Sequence, residues 1–264
     1  MSVLGNDDIY ANKIFLNSVL PLLKVIVEDV PSIGNYWIGR SAVCQVSAIG
    51  PEEKVGTHFV IDEGQWTVKK GIYDGEPHVE LEFPGIEALN SFFQGKSKKL
   101  PKMKGWYRLG TFVNFMKVLL KMAALLGLEK PPETQEEKAL LVKMYFYLLS
   151  AGISQLNKAG HKSISEWTKI SPDRVYAWEV ETHPDCSAYM RVKAGKSKAC
   201  RGIYKRSKPF FTMRFDNCDS ALGILMAIDD MIESTVKGKL KMVGGPEYGA
   251  QLGDFMLMVG DYAK

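Results

Sequence analysis

The chain has 264 residues, 46% hydrophobic and 24% charged, with a formal net charge of +4 at pH 7. This composition excludes a disordered chain and supplies enough apolar residues for one large core or two ordinary ones. The four cysteines, Cys44, Cys186, Cys200 and Cys218, lie far apart without the paired spacing of a disulfide framework or a zinc site, so reduced, mostly structural thiols are expected.

In chain order, Asp7 and Asp8 precede Ile9 with no basic segment leading into a continuous apolar run, unlike a secretory signal. Ile14, Phe15, Val19, Leu22, Leu23, Ile26 and Val27 recur at helical spacing, with Pro21 either kinking this helix or opening its second part. Strands are expected at 42–49, 57–62, 66–70 and 78–83, separated by the turn signals Gly50-Pro51, Glu63-Gly64 and Asp74-Gly75. Such short connections make an antiparallel meander the simplest arrangement.

A short helix over 86–93 leads into the basic segment 96–104. The next helix, 111–126, carries one narrow polar stripe of Asn114, Lys117 and Lys121, so its wide apolar surface needs cover from protein, ligand or a partner. Its greasy part, 112–126, is shorter than the roughly 20 residues that span a bilayer. A soluble, cytoplasmic protein is therefore the expectation.

Pro131 and Pro132 lie in the most linker-like stretch, 128–137, and place a boundary between domains 1–130 and 131–264. The helix 136–158 is apolar nearly all round through its middle, the pattern of an element buried on several sides. Strands follow at 175–180, 188–193, 197–202 and 210–215. A long helical pattern over 220–236 places Ala221, Ile224, Leu225, Ile228, Met231, Ile232 and Thr235 on one face, with Asp219 or Ser220 as N-cap.

The two halves can be overlaid. Gly71-Ile72-Tyr73 recurs as Gly202-Ile203-Tyr204 at a displacement of 131. One residue more sets Val79, Leu81 and Phe83 on Phe211, Met213 and Phe215, while Gly95-Lys96, Leu109-Gly110 and Phe112 recur at 143 as Gly238-Lys239, Leu252-Gly253 and Phe255. The eleven extra residues of the second copy are expected to lengthen its helix by about three turns, which keeps the buried face facing the same way.

The succession of helix, strands and helix, then Gly238-Lys239-Leu240-Lys241-Met242-Val243-Gly244 and a final apolar helix, resembles the sterol carrier protein-2-like lipid-transfer domain, best over 175–263. The first half resembles a diverged copy, with a shorter helix and Lys98-Lys99-Leu100-Pro101 in place of the segment ending Gly244-Gly245-Pro246-Glu247. The resemblance implies an α+β fold of two repeated domains, each a mainly antiparallel sheet of mixed topology with helices packed on one face. It also implies an apolar tunnel that takes a sterol, fatty acyl chain or phospholipid without chemistry and without a cofactor. The residues it assigns to the tunnel are Phe211, Met213, Phe215, Leu225, Ile228, Met231, Phe255, Met256 and Val259, with Val79, Leu81, Phe83, Phe112 and Phe115 in the first half. Methionines suit such a site because a flexible thioether adapts to ligands of different shape, although they equally fill ordinary cores.

Other candidates weigh less. Lys196, Lys198, Arg201, Lys205 and Arg206 lie in a stretch without an acid between Asp185 and Asp216. They suit anionic headgroups at a membrane surface, or simply the lysine-rich edge that discourages strand pairing. No nucleic-acid motif accompanies them. His183-Pro184-Asp185-Cys186 matches no zinc spacing and reads as a turn, and Gly244–Gly249 lacks the lysine of a phosphate loop. With four histidines and no placeable Ser-His-Asp or Cys-His pairing, catalytic and metal residues are not assigned. Two other functions stay open, an enzyme or substrate-presenting component acting on an acyl or sterol-like compound, and a scaffold that forms a homo-oligomer through the 111–126 helix.

Overall fold

A computed structural model describes residues 4–264, apart from the side chain of residue 246. The chain forms two compact units, residues 1–124 with 262–264, and residues 125–261. Both are α+β, each with one five-stranded mixed sheet.

The first unit opens with α1 (Asn6–Ile14), a π-helical turn over Phe15–Val19 and α2 (Leu22–Asp29). Pro21 has no N–H for the helical ladder, so it opens the second helix rather than kinking a single one. A short α3 (Pro31–Gly34) leads to β1 (Ala42–Ile49), β2 (Lys54–Asp62), β3 (Gln65–Lys70) and β4 (Val79–Phe83). Then come α4 (Ile86–Phe93), β5 (Lys102–Lys104) and α5 (Leu109–Leu126). The strand order is β3-β2-β1-β4-β5.

The meander stops at β3. Strand β4 pairs parallel with β1, Cys44 opposite Val79 and Ala48 opposite Phe83. The connection 71–78 crosses the sheet to reach that position. It is held there by the Tyr73 N–H donating to Gln45 Oε1 at 2.7 Å and the His78 N–H donating to the Val43 carbonyl at 2.8 Å. A crossover this short survives because side chain and backbone of β1 supply its polar partners, which spacing in the sequence does not reveal. The basic segment also contributes an edge strand, β5, where a run of lysines discourages further pairing.

Alternate residues of sheet 1 face the helices. Thr57 Oγ1 donates to the Leu16 carbonyl, and the Phe59 and Phe115 rings lie 6.0 Å apart. On the opposite face Glu80, 3% exposed, accepts from Gln45 Nε2 at 2.7 Å, from Ser47 Oγ at 2.6 Å, and from the Lys54 and Lys104 ammonium groups. Burial works to raise its pKa, but the four donors outweigh it and hold the carboxyl at about 2.

In the second unit, α6 (Gln135–Lys158) is capped by the Thr134 hydroxyl, which accepts from the Glu137 N–H at 3.3 Å. It is followed by α7 (Lys162–Ile170), β6 (Arg174–Val180), β7 (Ala188–Lys193), β8 (Lys196–Arg201) and β9 (Phe211–Phe215). The unit continues through α8 (Cys218–Leu225), α9 (Met231–Val236), β10 (Leu240–Val243) and α10 (Pro246–Ala263). The order β10-β9-β6-β7-β8 repeats that of sheet 1 from the opposite edge, with β6 parallel to β9 as β1 is to β4. A satisfied polar network ties α6 and α7 to β8: Asn157 Nδ2 donates to Ser197 Oγ at 2.9 Å and Thr168 Oγ1 to Asn157 Oδ1 at 2.6 Å.

The pattern over 220–236 is not one helix. Helix α8 ends at Leu225, Ala227 takes a φ of +57°, and the Ile228 and Asp229 N–H groups both donate to the Gly223 carbonyl at 2.8 Å. Asp230 then caps α9, accepting from the Glu233 N–H at 2.8 Å. The eleven extra residues therefore make a break and a second helix rather than three added turns. The cap of α8 is Asn217, which accepts from the Ser220 N–H at 2.9 Å, in place of Asp219 or Ser220. Two short caps satisfy orphan backbone groups that a continuous helix would not have exposed.

Backbone details coincide at the displacements read from the sequence. The Gly71 N–H donates to the Gly56 carbonyl, and Gly202 to Ser187. Glu63 and Ala194 both have positive φ, at 51° and 43°. The Lys96 N–H donates to Ser91 and that of Lys239 to Ser234.

Candidate ligand-binding site

In the second unit the helix-facing side of the sheet is lined by bulky apolar residues at alternate positions. Tyr176 and Trp178 on β6, Met190 on β7, and Phe211, Met213 and Phe215 on β9 are all fully buried. Helix α10 lays Phe255, Met256 and Val259 over them, each at most 7% exposed. Glycines permit the close approach: a Cβ on Gly249 would fall 2.4 Å from Met242 Sδ, and one on Gly152 of α6 the same distance from Val259 Cγ1.

Two polar atoms stand within this apolar layer. The indole N–H of Trp178 donates to Met256 Sδ at 3.3 Å. The Tyr176 hydroxyl lies beside Arg174 and Ser171 but within hydrogen-bond geometry of no atom among the described residues. Burial pushes its pKa up, against the lowering effect of Arg174, so the phenol stays neutral and able to donate. A buried hydroxyl without a protein partner is uncommon and suits a ligand oxygen or a water.

Tilted and edge-on rings gather at one end of the layer. Trp167 lies 5.2 Å from Tyr176 and 5.1 Å from Phe255, and Phe210 lies 4.8 Å from Tyr248. The Arg174 guanidinium covers Phe210 at 3.9 Å and Tyr248 at 5.3 Å. A cation thus sits next to the buried phenol, an arrangement that complements the acidic or polar head of an otherwise apolar molecule.

The structure brings together six of the nine residues assigned to this half: Phe211, Met213, Phe215, Phe255, Met256 and Val259. Leu225 and Met231 are half-buried at the ends of α8 and α9. Ile228 lies in the break between those helices, 55% exposed, because the expected helix does not continue through it. Sequence reasoning missed Trp167, Arg174, Tyr176, Trp178 and Tyr248. The signal for two of them was present, since Tyr176 and Trp178 alternate on one strand face.

In the first unit Val79, Leu81 and Phe83 are buried on β4, and Phe115 packs against Phe59 and Trp66, while Phe112 is half-buried. Lys196, Lys198 and Arg201 lie on edge strand β8, with Lys205 and Arg206 in the segment that follows. The Arg201 guanidinium rests 4.8 Å over the Tyr147 ring. All four cysteines are free thiols, and burial raises the pKa of Cys44. Among the described residues no group of three or more His, Cys, Asp or Glu is placed to hold a metal ion.

No protein-family model matches the chain, and no curated protein does. Solved structures similar to it include a UbiJ-SCP2 ubiquinone synthesis protein, at 14% identity and a TM-score of 0.29, covering 44% of this chain and 96% of that one. Another is the conserved hypothetical protein TT1886 from Thermus thermophilus, described as a candidate sterol carrier protein, at 13% identity and a TM-score of 0.30, with coverages of 51% and 92%. A third is the inverting sec-alkylsulfatase Pisa1 from Pseudomonas sp., at 14% identity and a TM-score of 0.26, covering 65% of this chain and 30% of that one.

Proposed function

We propose that this chain binds and hands on a hydrophobic ligand of the sterol, fatty acyl or phospholipid class, held between sheet and helices of the second unit, and that the two units descend from one sterol carrier-like domain. The observation that carries the binding reading is the Tyr176 hydroxyl, buried among methionines and aromatic rings beside the Arg174 guanidinium and Ser171, with no well-formed hydrogen bond to an atom among the described residues. A packed core of ordinary design hydrogen-bonds such a group or replaces it. Trp178, Met213 and Met256 supply an adaptable apolar wall, and Arg174 with Tyr176 meets the oxygen end of the ligand. Descent from one domain is supported by the identical strand order, by the parallel pair in each sheet, and by backbone hydrogen bonds that recur at 131 and 143 residues.

Native mass spectrometry of the purified protein, followed by solvent extraction, tests the proposal. A stoichiometric lipid is expected, and its chain or ring system identifies the class. Tyr176→Phe, which keeps the ring and removes only the hydroxyl, is expected to weaken uptake of a fluorescent fatty acid about fivefold to tenfold, the worth of one buried hydrogen bond. A protein that purifies empty and takes up neither fatty acyl nor sterol probes sinks the reading.

A further inference from the structure

We propose that α5, with the turn before it, is a docking surface for an anionic lipid bilayer. The helix runs over 18 residues, longer than its greasy core suggested, and by length and composition alone it is one of three helical stretches apolar enough to cross a membrane. The other two, Asn6–Asp29 and Gln135–Lys158, bury 67% and 72% of their apolar windows in the protein, whereas α5 buries 28%.

The exposed part is ordered. Leu109 is 65% exposed, Val113 44% and Leu120 62%, and with half-buried Met116 they recur at spacings of three and four along one side of the helix. Phe115, Val118 and Met122 occupy the other side and are buried, Phe115 against Phe59 and Trp66 of the sheet. One side is therefore committed to protein, and Lys117 and Lys121 interrupt the apolar surface of the helix, so it lies on a membrane and does not span it.

The flanking chemistry favours lipid over a protein partner. Trp106 and Tyr107, each 64% exposed, stand at the start of the helix, and such rings settle at the boundary between headgroups and acyl chains. Between Glu87 and Glu129 the chain has no acid and eight basic residues: Lys96, Lys98, Lys99, Lys102, Lys104, Arg108, Lys117 and Lys121. Lys104 is engaged by Glu80 and Glu82, and Lys98, Lys99 and Lys102 are exposed. An apolar stripe, an aromatic pair and a basic segment without interspersed acids together match an anionic bilayer surface. The inference rests on α5 and the segment before it and not on ligand binding by the second unit.

The full chain is mixed with phosphatidylcholine vesicles with or without phosphatidylserine and sedimented. Binding to the phosphatidylserine vesicles is expected, weakening about fivefold for each basic residue removed in the series K98Q, K99Q, K102Q. Trp37, Trp66, Trp167 and Trp178 are at most 9% exposed, so quenching by brominated lipid reports Trp106 and should vanish in W106F. Leu109→Glu with Leu120→Glu changes two solvent-facing positions and is expected to reduce binding at least about tenfold without loss of fold by circular dichroism. Wild-type binding by that double variant overturns the proposal, as does failure to sediment with anionic vesicles. Loss in K196E/K198E alone would move docking to the β8 edge. A concentration-dependent dimer that the Leu109/Leu120 variant abolishes, with no vesicle binding, would assign the face to a second copy of the chain.

Discussion

Replacing Glu80 by Gln keeps the shape of the side chain and removes the charge that Lys54 and Lys104 meet on the face of sheet 1 opposite the helices. Held at about 2 against an ordinary value of 4.5, the carboxylate contributes up to about 3 kcal/mol at neutral pH. The two lysines are 28% and 41% exposed, and solvent screening reduces this to about 2–3 kcal/mol. Because the folded-state pKa is depressed, the contribution is complete above pH 4.5, declines as the pH falls below that value, and is gone below about 2. Hydrogen exchange in a urea series, read on peptides of β1 and β4, measures the loss in this unit, and peptides of β6 and β9 serve as control. The expected result is a deficit of about 2–3 kcal/mol for E80Q at pH 7 that shrinks steadily toward pH 2. A deficit under about 0.5 kcal/mol, or one of equal size at both ends of the range, refutes the reasoning.

Gly105→Ala places a Cβ 1.9 Å from the His78 carbonyl oxygen at a φ of +76°, and is expected to destabilise the first unit by roughly 2 kcal/mol or more in chemical denaturation. Gly260→Ala on α10, where nothing lies within 4 Å, should instead stabilise by about 0.5–1 kcal/mol through helix propensity, and a loss there would contradict the packing described. Asn217→Ala removes the α8 cap and should cost about 1 kcal/mol, with faster exchange confined to peptides around Ser220; an unchanged exchange rate would mean that the cap contributes nothing.

Strong local signals carried much of the fold. Strands at 42–49 and 188–193 and the helix at 86–93 coincide with β1, β7 and α4, because alternation and helical periodicity bounded by Gly, Pro and Asp are short-range properties. The matches at 131 and 143 residues likewise needed only the text, and they fall where glycines and carbonyls make the same turns. Where local signals compete, the sequence misled. Ile224, Ile228 and Ile232 keep helical spacing through a segment that breaks, since Gly223, Ala227 and Asp230 stop and restart the helix through backbone and cap bonds. Helix α7 passed unnoticed because its nine residues are mostly polar and only Ile164, Trp167 and Thr168 are buried.

For the site, the alternation of Phe211, Met213 and Phe215 already identified a buried strand face by itself, whereas Phe255, Met256 and Val259 on a final helix came only from the resemblance to a known family. What lies between them was decided by tertiary structure. The parallel insertion of β9 beside β6 sets Tyr176 opposite Phe211 and Trp178 opposite Met213, and the return of α10 brings Met256 to the Trp178 indole. Those residues are separated by tens of positions in the chain, and no local periodicity encodes a pairing that depends on a crossover. The same holds for Arg174 over Phe210 and Tyr248 and for the Tyr176 hydroxyl sealed beside Arg174 and Ser171. Composition determined that apolar layers would form, and packing of distant segments decided which polar atoms were sealed inside one of them.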